Sequence, residues 1–237
     1  MEGIIKAMSI LPKHIFVIVP SYNEGTVIGK ILEELVTQEV RVVVVDDGSA
    51  DETAEIALGY PVYVLKHPFN LGQGAALQTG MTFALRQPDC RYLVTFDADG
   101  QHDPQDIFRL VDALEKSNVE VALGTRFGDE ARLSGIRKSR YWVLKLATWL
   151  TKLLTRLEVS DTHNGVRAFT APAARRIHLT QNRMSHASEI LAQISKLKMM
   201  YMEVPVTVRY TPYSMQKGQS IWNAIDIVWD TLVGGLK

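Results

Sequence analysis

The hexapeptide Asp97-Ala98-Asp99-Gly100-Gln101-His102 holds the densest concentration of ligating groups in the chain. It follows the short apolar run 91–96, which predicts a buried strand. Extended backbone sends alternate side chains to one face, so Asp97, Asp99 and Gln101 are expected to point the same way at the strand exit. Two carboxylates and an amide oxygen are hard donors that suit Mg2+ or Mn2+. So small a set leaves coordination positions open for the oxygens of a diphosphate. The plainer alternative is an acidic turn capping a helix that starts near Pro104, since Asp-x-Asp alone is a weak pattern.

Three further clusters fall where strands should end. Pro20-Ser21-Tyr22-Asn23-Glu24-Gly25 follows the first apolar run, and Asp46-Asp47-Gly48-Ser49-Ala50-Asp51 follows the second. Helix capping accounts for Ser49 or Asp51. It does not account for two adjacent carboxylates, whose repulsion is unfavourable unless something binds there. A base edge or ribose hydroxyl is a suitable partner for Asp47. The third cluster, Asn70-Leu71-Gly72-Gln73-Gly74, is a poor dinucleotide fingerprint, because Leu77 stands where the third glycine belongs. Its glycines imply close backbone approach to a ligand or tight helix packing.

The elements that must position these groups alternate regularly. Strands are expected at 15–20, 41–45, 62–65, 91–96 and 119–124, with helices at 25–37, 51–58, 74–86 and 104–117. This βα alternation implies an α/β fold, a Rossmann-like and mostly parallel sheet with helices on both faces. The β-branched run Val42-Val43-Val44-Val45 fits a strand covered on both sides. Ligands of such sheets sit outside the carboxyl ends of the strands, where all the polar clusters lie. Later in the chain, 186–198 reads as a helix with Glu189 near its start, and 204–208 as a strand.

At 237 residues and 46% hydrophobic content, the chain can bury one substantial core. Its 26 basic and 26 acidic residues give no net charge, which offers no global electrostatic case for nucleic acid. Cys90 is the single cysteine, which excludes an internal disulfide framework and fits a reducing compartment. No secretory signal is expected at the N-terminus. No uncharged apolar stretch approaches the ~20 residues that span a bilayer.

In order along the chain, the four clusters are followed by Gly124-Thr125-Arg126-Phe127 and Asp161-Thr162-His163-Asn164-Gly165-Val166-Arg167-Ala168-Phe169. Together they resemble an inverting family 2 glycosyltransferase of GT-A fold, similar to the dolichyl- and polyprenyl-phosphate mannosyl- and glucosyltransferases. The resemblance runs from about residue 15 to 217. It implies a single domain, with a nucleotide-sugar half at about 14–126, an acceptor-side half at about 127–220 and a C-terminal amphipathic helix at 221–237. It implies that Pro20, Tyr22, Glu24 and Asp47 line a nucleotide pocket, joined by Gly74 and Ala98. Asp97, Asp99 and Gln101 would hold Mg2+ or Mn2+ on the diphosphate of a UDP- or GDP-linked sugar. Arg126 and Arg167 would lie near phosphates, which planar guanidinium matches. Asp161 would sit at the reacting centre. Glu52 and Val166 depart from the family pattern.

Displacing a sugar from a nucleoside diphosphate builds negative charge on the leaving group, which a divalent ion and arginines offset. A polyprenyl phosphate acceptor is already an anionic nucleophile. A hydroxyl acceptor on a growing glycan is the alternative, and it would need a base, with Asp161 or Glu189 as candidates. The cations Arg126, Arg137, Lys138, Arg140 and Arg167 favour the phosphate, with Arg140 and Glu189 assigned to the acceptor side. Residues 141–157 carry Trp142, Trp149 and several leucines against a basic stripe, as in a helix lying among lipid headgroups. Segment 221–237 pairs an apolar face with Asn223, Asp226 and Asp230, which suits a membrane-protein partner or a second copy of the chain. The polar stretch 209–220 reads as a mobile loop that brings Arg209 and Lys217 to the phosphates. Peripheral attachment to the cytoplasmic face of a membrane follows as the expected location.

Overall fold

The run Val42-Val43-Val44-Val45 is buried on both sides, and the molecule is organised around it. The structure, a computed structural model, describes residues 12–127, 132–134, 157–162, 164–181 and 186–209. A 3-10 turn (Pro12–His14) leads into β1 (Ile15–Ser21), α1 (Ile28–Val36), β2 (Arg41–Asp46), α2 (Thr53–Leu58) and β3 (Tyr63–Lys66). There follow α3 (Gln73–Leu85), β4 (Tyr92–Thr95), α4 (Gln105–Ser117), β5 (Val121–Thr125) and β6 (Arg132–Ser134). The last described elements are β7 (Arg167–Thr170), a helical turn Ala171–Ala174, the helix His186–Lys196, β8 (Tyr201–Pro205) and β9 (Thr207–Arg209).

Seven strands form one mixed sheet in the order β3-β2-β1-β4-β7-β5-β8. All pairings are parallel except those of β7, which runs antiparallel to both β4 and β5. Helices cover both faces, as the alternation predicts. Val42 and Val44 face a layer built with Ile28, Leu32 and Leu35 of α1 and Ile107 and Leu110 of α4. Val43 and Val45 face Leu77 and Met81 of α3 and Ile190 and Ile194 of the His186–Lys196 helix. In α1 the buried positions Ile28, Ile31, Leu32 and Leu35 follow the helical period. Each such side chain contributes about 1.5–3 kcal/mol on burial. Gly80 lets α3 lie directly on β1, since a Cβ there would overlap Ile18.

Chain order reverses beside β1, with β2 on one side and β4 on the other. That switch point opens a crevice between the loops that follow β1 and β4. Because β7 is reversed, its start at Arg167 lies at the same end as the exit of β4, opposite Thr95.

The structure corrects three sequence expectations. The strand before the acidic hexapeptide stops at Thr95, and the chain then turns, with Gly100 at φ +71°. Side-chain alternation therefore does not set the directions of Asp97, Asp99 and Gln101. The strand expected at 204–208 is two short strands flanking Val206, and β9 pairs with β6 rather than with the main sheet. Strand β7 was not anticipated at all.

Candidate active site

The loops after β1 and β2 are stitched together by side chains of small polar residues. Asn23, at φ +53°, accepts a bond from the Ala50 amide (2.9 Å) and donates its own amide to Ser49 Oγ (2.9 Å). The Glu24 amide bonds Thr53 Oγ1 (2.8 Å), and the Gly25 amide bonds Asp51 Oδ2 (2.9 Å). This frame leaves Tyr22 42% exposed on the crevice side of β1, while Pro20 and Glu24 are buried beside it.

Asp47 has a structural job at the exit of β2. Its carboxylate is buried and accepts bonds from the Leu71 amide (2.9 Å) and the Gly72 amide (2.7 Å), and it pairs with His67 Nδ1 (2.7 Å). It shapes the turn that launches α3, and only a remaining lone pair is left for a ribose or base. Gly74 agrees with the second reading of these glycines, tight packing. A Cβ there would collide with the Gln181 carbonyl, so its bareness serves helix-to-loop packing.

The acidic turn is held from three sides. Asp97 Oδ1 accepts a bond from Gln73 Nε2 (2.9 Å), and Oδ2 lies 3.9 Å from His102 Nε2. Gly165 presses against the same carboxylate, so closely that any Cβ would overlap it. Thr95 Oγ1 fixes Gly165 by donating to its carbonyl (2.7 Å). Asp99 Oδ1 accepts the Gln101 amide (3.0 Å), and Ala98 between the two acids is buried in the core. Strand β9 docks on this turn: the Arg209 amide donates to the Gln101 carbonyl (2.8 Å), and Val208 bridges His102. The Arg209 guanidinium reaches Asp103 Oδ2 (3.1 Å).

Electrostatics single out Asp97. Burial raises its carboxyl above the usual range, although the Arg167 charge, the Gln73 bond and the Arg126 charge act against that. Burial, reinforced by Arg126, pushes His102 down to about 3, so its ring is neutral at ordinary pH. Among the described residues no group of three His, Cys, Asp or Glu side chains gathers around one point. Asp97, Asp99 and Gln101 nevertheless fit a hard divalent cation in donor chemistry, and a cation would offset the desolvated charge of Asp97.

A second charged layer lies behind the turn. Arg126 Nε and its own amide both donate to Asp161 Oδ2 (2.6 and 3.1 Å), and both side chains are buried. Glu203 of β8 anchors this loop by accepting from the Ser160 amide (2.7 Å), Ser160 Oγ (3.0 Å) and the Asp161 amide (3.3 Å). Arg167 is buried and donates to the carbonyls of Thr162 (3.0 Å), Asn164 (3.2 Å) and Ala187 (3.2 Å). Desolvation lowers it to about 10, with Asp161 and Asp97 pulling the other way. Arg167 therefore acts here as a fixed positive charge between two acids, anchored by backbone.

Glu189 has a structural role. Its carboxylate holds Thr180 through the amide and hydroxyl (3.0 and 2.6 Å) and Gln181 through the amide (3.0 Å). It clamps a turn. Arg137, Lys138, Arg140, Lys217, the amphipathic stretch before Leu157 and the segment 221–237 lie outside the described residues. Gln73, Gly165 and Glu203 are the contributors that sequence reasoning did not assign. Gln73 and Gly165 each carried a signal, inside the quoted Asn70–Gly74 and Asp161–Phe169 motifs, and Glu203 carried none.

Two expected results arise directly. Gly165→Ala should displace the Asp97 carboxylate and lower turnover by about a hundredfold, the usual penalty for an ångström of misplacement. Turnover with unchanged circular dichroism checks it, and an undiminished rate would refute the packing argument. Asp97→Asn should raise the melting temperature at pH 7 without added metal. A carboxyl with a raised folded pKa binds protons on folding, so stability falls as pH climbs from its ordinary 3.8 through the raised value. The gap between variant and wild type should close on acidification below that range, as read from melting curves across pH.

Comparison with known proteins places these features in a family. A model described as Glycosyl transferase family 2 matches residues 16–178. The chain is 35% identical over 222 residues to an uncharacterized protein, MJ1222, of Methanocaldococcus jannaschii, covering 92% of this chain and 91% of that one. It is 29% identical to the UDP-N-acetylglucosamine–dolichyl-phosphate N-acetylglucosaminyltransferase of Methanococcus voltae, covering 93% and 96% respectively. The fold superposes at a TM-score of 0.70 on glucosyl-3-phosphoglycerate synthase of Mycobacterium tuberculosis, solved with Mn2+, UDP and glucosyl-3-phosphoglycerate. That match has 18% identity and spans 93% of this chain and 79% of the other. The chain belongs to glycosyl transferase family 2, and its seven-stranded mixed sheet with helices is a GT-A-like fold.

Proposed function

We propose that this enzyme moves a sugar from a nucleoside diphosphate to a polyprenyl phosphate at a membrane surface. The observation that carries the reading is the meeting of the acidic turn with the buried cations Arg126 and Arg167 at one end of the sheet. Pro20, Tyr22 and Glu24 form the nucleotide side. Asp97, Asp99 and Gln101 would hold Mg2+ or Mn2+, which when bound supplies Lewis-acid stabilisation of the departing diphosphate. Gln73 and Gly165 fix the direction of Asp97, and Arg167 keeps positive potential behind it. The fixed charges act where negative charge develops, without reorganising.

The acceptor choice follows from Asp161. Its Oδ2 already accepts two bonds from Arg126, and Glu189 accepts bonds from a turn, which makes both less suited to act as a base toward a hydroxyl. A phosphate acceptor needs no base, and the Methanococcus voltae relative is named for a dolichyl phosphate acceptor. Among the described residues no helix is long and apolar enough to cross a membrane. Peripheral contact with a membrane, at its cytoplasmic face, completes the proposal for such an acceptor.

The test is incubation with labelled UDP- and GDP-sugars, Mn2+ and polyprenyl phosphate. A lipid-extractable, acid-labile product is expected. Label found only in water-soluble saccharide would overturn the lipid acceptor and favour glycan extension.

A further inference from the structure

Beside Asp97, between α3 and the His186–Lys196 helix, lies a partly enclosed cavity of about 60 Å³. A water needs about 10–15 Å³ measured in this way, so the space exceeds one water several times over and is too small for a hexose. Beside Asp97 its polar lining comes from Gln73, Asn164, Thr95, Arg167 and His186, and its apolar wall from Leu77, Ala187 and Ile190. Asn164 is 1% exposed; its Oδ1 accepts the Val166 amide (3.0 Å), which fixes the amide's orientation, and its Nδ2 has no partner among the described residues. An orphaned buried donor is unfavourable unless a ligand completes it. Gln73 Nε2 is committed to Asp97, which leaves Oε1 as an acceptor.

We infer that this cavity receives an acylamino substituent of the transferred sugar, so that the donor is a 2-acetamido sugar nucleotide. Asn164 Nδ2 donates to the acetyl carbonyl, Gln73 Oε1 accepts the amide N–H, and the methyl group lies on Leu77, Ala187 and Ile190. A hydroxyl in the same place would leave the apolar wall against water and the Asn164 donor poorly met. The inference rests on the proposed transferase reading and adds the substrate class.

The experiment compares UDP-N-acetylglucosamine with UDP-glucose, by calorimetric binding and by transfer to polyprenyl phosphate. Wild type should favour the acetamido donor by at least about tenfold, the scale on which one apolar pocket discriminates. Ala187→Val fills the wall while keeping the backbone carbonyl that Arg167 uses, and Asn164→Asp keeps the Val166 bond while removing the donor. Each should lower the preference by about tenfold through the acetamido donor alone. Melting temperature and UDP affinity serve as controls for folding. Equal binding of the two donors by wild type, or parallel losses for both donors in the two variants, would overturn the inference. Absence of lipid product with the acetamido preference retained in binding would sink the acceptor reading and leave the cavity assignment standing.

Discussion

Asp99→Ala should lower sugar transfer by about two to three orders of magnitude, the loss typical of removing one preorganised charge-stabilising group. The same variant should lose metal-dependent stabilisation by the donor, because ligand binding to the native state is what raises apparent stability. Its fold should persist. Asp99 is half-buried and accepts the Gln101 amide within its own turn, and loss of one such bond is worth about 1 kcal/mol. For a chain of this size that corresponds to about 2–4 °C in melting temperature. Thermal shift with UDP-sugar, with and without Mn2+, reads both effects in one plate. Retained metal-dependent stabilisation in the variant would remove the acidic turn from the mechanism.

Asp161→Ala should be the most destabilising single change at the site. It leaves the Arg126 guanidinium buried without its carboxylate and removes one of the two acids that flank Arg167. Breaking a buried pair on one side costs about 3–5 kcal/mol. Against a typical total of about 5–15 kcal/mol the variant sits near the folding threshold. The expected drop in melting temperature is about 6–20 °C. The double change Arg126→Met with Asp161→Leu should recover much of that loss, since it removes both desolvated charges together. Urea titration of the two variants measures the difference. A single variant that melts with wild type would show that the pair is solvated and that Asp161 is available for other chemistry.

The layered sheet was legible because hydrophobic period and strand length carry most of the signal. The first five strands and four helices lie within a few residues of where the pattern sets them. The reversed strand β7 was not legible, since four residues of mixed character, Arg167–Thr170, carry no direction in their sequence. At the site, residue types located the crevice but not the partners. From their neighbours in sequence Asp47 reads as a nucleotide contact and Glu189 as an acceptor-side carboxylate. What sequence did not record is that each also accepts amides of a neighbouring loop, at Leu71 and Gly72 and at Thr180 and Gln181. Glu203 organises Asp161 across forty-two positions, a separation that no local pattern records. Gly165 is the instructive case. Its lack of a side chain is dictated by Asp97, a contact that only the antiparallel return of β7 creates.

The short bond from the Arg209 amide to the Gln101 carbonyl gives the enzyme an internal gauge. Whatever stiffens the turn that carries the two acids should also slow solvent exchange at Arg209, the last residue of β9. Deuterium uptake at that single amide thus reports occupancy of the catalytic corner from outside it, before any product has formed.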